Sequence, residues 1–232
     1  MSAVAVNSTL ARGAFFYRTT IGKKVVMAIT GLVLFGFLIG HMAGNLQFFL
    51  GREVLNDYAR HLHELPVLLW GARITLLFSV MLHIVAAVQL AQLQRTARPV
   101  TYFKKRSVGS SYASRTMYWS GPIVASFVIY HLLHLTLGAV HPNYEFLNAY
   151  DNLVIGFSNP LVAVFYIVSM VLLGMHLYHG VWSMFQSIGL AHPRYTPTIK
   201  TLTRAFTVVL MAGFLAVPVA VLVGYYPDFA KV

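Results

Sequence analysis

Five stretches of the chain, 25–51, 74–94, 116–144, 152–193 and 205–227, contain no Asp, Glu, Lys or Arg. Each exceeds the roughly 20 residues that cross a bilayer core. Polar positions cluster between them, so the pattern predicts an all-α membrane protein with five transmembrane helices, over 24–51, 66–94, 116–140, 159–187 and 203–226. The fourth stretch is longer than one helix needs. Ser158, Asn159 and Pro160 mark where its helix begins, because Pro is preorganised for the first helical position. The longest polar stretch, 96–115, is too short for a domain, and residues 1–232 are expected to form a single membrane domain.

Composition agrees with a membrane solvent: 58% of residues are hydrophobic and 10% charged, where a soluble chain carries about 25% charged residues. The charges are also segregated. Arg12, Arg18, Lys23, Lys24, Arg95, Arg98, Lys104, Lys105, Arg106, Arg115, Arg194, Lys200 and Arg204 fall in the N-terminal arm and the second and fourth loops. The acids Glu53, Asp57, Glu64, Glu145, Asp151 and Asp228 fall in the first and third loops and the C-terminal tail. Basic segments stay cytoplasmic, so the N-terminus is expected inside and the C-terminus outside. The net charge of +11 flanks the spans as single residues and short clusters, which fits topology and anionic lipid and argues against nucleic acid. Residues 1–20 have no apolar core of their own, so the first span is expected to serve as an uncleaved insertion signal. With no cysteine, the chain has no disulfide, no thiolate haem ligand and no iron-sulfur cluster on its own thiolates.

Four histidines lie inside the first four apolar stretches: His41, His83, His131 and His176. An ionisable group in hydrocarbon is costly and marks function. Spans one and three run outward with His41 and His131 late in each, which places both in the outer half. Spans two and four run inward with His83 and His176 late in each, which places both in the inner half. Two pairs at two depths, each on two helices, is what bis-histidine ligation of two stacked haems requires. Gly44, Ala87, Gly138 and Gly180 follow the four histidines at spacings that stay on the ligand face, where small residues let a flat ring approach. His134 and His179 each lie three residues from one of the four and could be ligands instead, or contact haem propionates or quinone. His61, His63, His141 and His192 fall in loops or at helix ends and are expected to be solvated or interfacial.

The stretch TGLVLFGFLIGHMAGNLQFFLG, residues 30–51, resembles the first helix of the single-polypeptide, di-haem cytochrome b anchor of bacterial succinate:quinone oxidoreductases, the succinate dehydrogenases and fumarate reductases of complex II. MHLYHGVWSMFQSIG, residues 175–189, is similar to that family's fourth helix. LHIVAAVQL around His83 and VIYHLLH around His131 are similar to the other two ligand helices. The resemblance runs in order along the whole chain. It implies that the first four helices form the haem-binding bundle, with His41 and His131 on the outer haem b and His83 and His176 on the inner one. It favours His131 over His134 and His176 over His179.

The resemblance also implies a role inside a larger enzyme. A flavoprotein subunit interconverts succinate and fumarate, an iron-sulfur subunit passes electrons to the membrane, and the anchor delivers them to quinone. Menaquinone is favoured over ubiquinone, and the complex could form a higher oligomer in the bacterial cytoplasmic membrane. Lacking a Gly-rich flavin fingerprint, this chain does not itself handle the dicarboxylate. Arg60, His61, His63 and Glu64, just before the second span, are quinone-site candidates; a polar interfacial segment would look the same. Trp119, Lys23, Lys24 and Arg18 are candidates for propionate contacts on the inner side, where the basic residues would also set topology. The residues leave room for a di-haem anchor of a hydrogenase or formate dehydrogenase. A His-based proton transporter fits less well, since no acid lies at the membrane centre.

Overall fold

The structure, a computed structural model, describes residues 9–97, 100 and 112–227. Arg98, Lys104, Lys105, Arg106 and Asp228 of the charge pattern lie outside the described residues, as does the Arg12 side chain. Every regular element among the described residues is helical. In order they are α1 (Thr9–Arg18), α2 (Thr20–Leu46) with a 3₁₀ turn Gln47–Leu50, α3 (Arg52–Glu64), α4 (Pro66–Thr96), α5 (Tyr112–His131) with a π turn Leu132–Thr136, α6 (Ala149–Ser158), α7 (Pro160–Ser187) and α8 (Thr196–Leu222).

Four of these helices are long and apolar enough to cross a membrane: α2 with its 3₁₀ extension, α4, α7 and α8. The third expected span is helical as α5, but Arg115, Tyr118, Ser120 and Pro122 dilute its apolar character. Large apolar side chains face outward, as lipid contact requires; Val67 and Leu161 are more than four-fifths exposed. Starts follow local chemistry. Asn159 accepts the Leu161 amide and Pro160 opens α7, as the Ser-Asn-Pro signal predicts. Thr19 accepts the Gly22 amide at 2.9 Å to open α2.

Packing centres on α7, which runs along α2, α5 and α8. Tyr150, Val154, Phe157, Tyr166 and Leu210 lie in the core between α6, α7 and α8. Helix α4 runs along α2 and meets α3 at its start, but it does not run along α5 or α7. The helices therefore form an open row, α4–α2–α7–α5, whose two outer members are joined near the α1 end. There Tyr118 donates to Gln94 at 2.9 Å and Arg95 lies over the Tyr118 ring.

The first and third loops, read as polar connections, contain the short helices α3 and α6. Together they cap one end of the bundle. Arg52 pairs with Asp151 at 2.9 Å, Asn56 donates to Asn148 at 3.0 Å, and the Tyr150 amide donates back to Asn56 at 3.0 Å. Tyr150 is fully buried, stacked on Phe48, with its hydroxyl on the Pro227 carbonyl.

Candidate functional site

Each of the four histidines of the apolar stretches faces another. His41 on α2 and His131 at the end of α5 have ring centroids 5.7 Å apart at 81°. His83 on α4 and His176 on α7 are 6.4 Å apart at 57°. A first-row metal–imidazole bond is about 2.0–2.1 Å, so two rings on opposite sides of one metal have nitrogens about 4 Å apart and centroids about 6 Å apart. Both pairs sit at that separation. Each also spans two helices that do not run along each other, α2 with α5 and α4 with α7. The imidazoles thus reach across the open side of the row.

The backing of the rings decides which nitrogen is available. Thr30 gives its hydroxyl proton to the Val26 carbonyl at 2.8 Å, so its oxygen accepts from His83 Nδ1 at 3.1 Å. That leaves His83 Nε2 as the free lone pair, the arrangement metal-binding histidines use. His131 Nδ1 is 3.5 Å from the Tyr166 hydroxyl. His176 Nδ1 is buried with no hydrogen-bond partner. Phe37 stacks on His41 at 5.2 Å, while Phe127 lies 5.9 Å from His131.

The π turn separates His131 from His134. Its wider pitch, closed by Leu137 donating to the Leu132 carbonyl at 2.9 Å, leaves His131 opposite α2 while His134 turns into the contact with α6 and α7. His134 is buried, with its Nδ1 3.0 Å from the Tyr166 hydroxyl and its ring stacked on Tyr130. His141, expected at a solvated position, is also buried: its Nε2 donates to the Asn152 carbonyl at 3.0 Å. Two of the small residues do not serve a flat ligand. The space beside Gly44 holds the Tyr58 ring, and Gly138 is a turn residue at φ 70 with Tyr144 where a Cβ would stand. Gly180 does face open space.

The polar candidates are dispersed. Lys23 is buried, its ammonium donating to the Tyr17 and Arg18 carbonyls at 3.1 and 2.9 Å, so it caps α1. Arg18, Lys24 and Trp119 are exposed. Sequence reasoning missed cations held over rings between α7 and α8, Lys200 on Trp182 and Arg204 on Tyr178. Their signal was the spacing of basic residues along 194–204 opposite the aromatic end of α7.

Arg60, His61, His63 and Glu64 all lie on the last turn or so of α3. Arg60 pairs with Asp57, and His61 lies 3.7 Å from Glu64. His63 donates from Nδ1 to the Ala59 carbonyl at 2.8 Å and meets Phe146 edge-on. Glu64 stands at the mouth of an apolar groove of about 740 Å³ between α2 and α4, lined by Val33, Phe37, Leu68, Gly71 and Thr75. It also borders a smaller depression of about 480 Å³ containing Asp57, Arg60 and His61. The groove reaches Phe37, which lies against His41.

No family model matches the chain, and neither a curated protein nor a solved structure matches it.

Proposed function

We propose that the chain is the membrane-anchor cytochrome b subunit of a bacterial succinate:quinone oxidoreductase, carrying electrons between an iron-sulfur subunit and membrane quinone. The observation that carries the proposal is the pair of histidine pairs, each with ring centroids at the separation that two imidazoles on one iron need and each on helices that do not run along each other. In this reading α2, α4, α5, α7 and α8 are the five spans, and the first four hold two haems b. Positive residues keep the N-terminus cytoplasmic, and the α3/α6 cap lies outside with the C-terminus.

His41 and His131 would hold the outer haem and His83 and His176 the inner one. When bound, each haem iron supplies reversible one-electron transfer. The rest is the work of the chain. Thr30 holds His83 in the tautomer that leaves Nε2 free, and Phe37 and Phe127 keep the outer pair dry. The groove from Glu64 to Phe37 offers quinone an apolar slot ending at Phe37, the ring stacked on His41, with a carboxylate at its mouth to exchange protons with the outer surface. The basic inner end, with Lys200 and Arg204 fixed over rings, suits anionic lipid and the docking of the iron-sulfur and flavoprotein subunits. A quinone at the outer end makes each electron cross most of the bilayer, which couples turnover to about 2.3 kcal/mol per charge per 100 mV.

A reduced-minus-oxidised spectrum of the purified chain with its bound partners tests this. Two b-type haems per chain together with a flavoprotein are expected. Two haems with a hydrogenase or formate dehydrogenase partner would keep the ligands and overturn the dicarboxylate role. No haem would overturn the ligand assignment itself.

A further inference from the structure

Tyr166 lies on α7 with its hydroxyl between two imidazoles, 3.0 Å from His134 Nδ1 and 3.5 Å from His131 Nδ1. A phenol has one proton to give, so it cannot donate to both. A histidine that presents Nε2 to iron carries its hydrogen on Nδ1 and must donate there. Tyr166 oxygen then accepts from His131 and donates to His134 Nδ1, which accounts for the shorter of the two distances.

His134 is well placed to fix that direction. It is buried, with Tyr130 stacked on one face at 5.5 Å and the His141 ring 4.9 Å away. His141 is held in turn: its Nε2 donates to the Asn152 carbonyl, and its Nδ1 accepts the Asn143 amide at 3.2 Å. Gly156 makes the close fit possible, since a Cβ there would come within 2.8 Å of His134 and 3.2 Å of His141. The phenol is therefore aimed by a rigid group that has no other part in the site. The His83 side differs, because Thr30 spends its proton on its own helix backbone.

We propose that Tyr166, held by His134, is a positioning residue that orients His131 and lowers the electron affinity of the outer haem. It rests on the reading of His131 as a haem ligand. An acceptor on Nδ1–H makes the imidazole more basic and favours the oxidised iron. A phenol that has given its own proton away is the stronger acceptor, because hydrogen bonds in a chain polarise one another.

The test is a redox titration of the solubilised complex, followed by haem absorbance and low-spin electron paramagnetic resonance, with the two centres assigned from His41→Ala and His83→Ala. The unaltered complex comes first: absence of haem there sinks the ligand reading and not the Tyr166 argument alone. Given two haems, Tyr166→Phe is expected to raise the midpoint of the outer haem and shift its resonance signal, with the inner haem unmoved. His134→Phe keeps the phenol but removes its acceptor, and a smaller rise at the same haem is expected. Thr30→Val should move the inner haem alone. No change in Tyr166→Phe, or equal changes at both haems, would overturn the proposal. Should Tyr166→Phe lose the outer haem, His134→Phe decides: an outer midpoint that stays put overturns it.

Discussion

A histidine in hydrocarbon needs a partner for each ring nitrogen, and the two pairs show how far this chain supplies them. His83 has Thr30 beside its Nδ1 and His131 has Tyr166, which in each case leaves Nε2 available to a ligand. His41→Ala or His131→Ala is expected to remove the outer haem and spare the inner one, halving the haem-to-protein ratio. His83→Ala or His176→Ala should do the reverse. Loss of the same haem from His41→Ala and His83→Ala would break the pairing. The four histidines were legible in the sequence because a ring with polar nitrogens stands out in an apolar run. Thr30 and Tyr166 were not. Hydroxyls on membrane helices commonly bond their own backbone, and only the rotation of each helix decides whether they meet a neighbour. Gly44 and Gly138 misled for a related reason. Spacing says which side of a helix a glycine is on, but not that Tyr58 or Tyr144 fills the space.

At the scale of elements, long apolar runs announced α2, α4, α7 and α8, while the short helices escaped notice. Helix α3 carries seven charged or histidine residues among thirteen, REVLNDYARHLHE, and reads as a loop to any test based on apolar length. Helix α6 has Asp151 in its first turn and then runs into the fourth uncharged stretch, where only Asn159 and Pro160 divide it from α7, so its separate existence depends on that cap. The quinone candidates consequently moved from a loop to one helical turn, which puts Glu64 at the groove mouth. The corner between α1 and α2 depends on Gly22, where a Cβ would lie 2.0 Å from the Phe16 carbonyl oxygen. Gly22→Ala is expected to open this corner at a cost of about 1–3 kcal/mol, the usual penalty for overpacking. A fall in the thermal midpoint of the detergent-solubilised protein, with haem content preserved, would show it. An unchanged midpoint would mean the corner is not fixed by this contact.

For the whole molecule, the number of crossings decides which ends share a compartment. With five spans the N- and C-termini lie on opposite sides; with the four long helices alone they would lie on the same side. Reporter fusions at each terminus distinguish these. A cytoplasmic N-terminus with an external C-terminus is expected, and two cytoplasmic signals would remove α5 from the set of spans. Its packing against α7 supports a crossing that hydropathy alone underrates. The open row has a further consequence, for biogenesis. Because α4 packs lengthwise on α2 alone and is otherwise held only near its ends, a ligand shared by His83 and His176 would act as a staple across its free side. Chain made during haem starvation would then be inserted yet unfinished, with α4 the first segment open to membrane proteases. Pulse-chase labelling should show faster turnover under starvation and early cleavage at the α4 ends, so that cofactor supply governs how much subunit survives to be assembled.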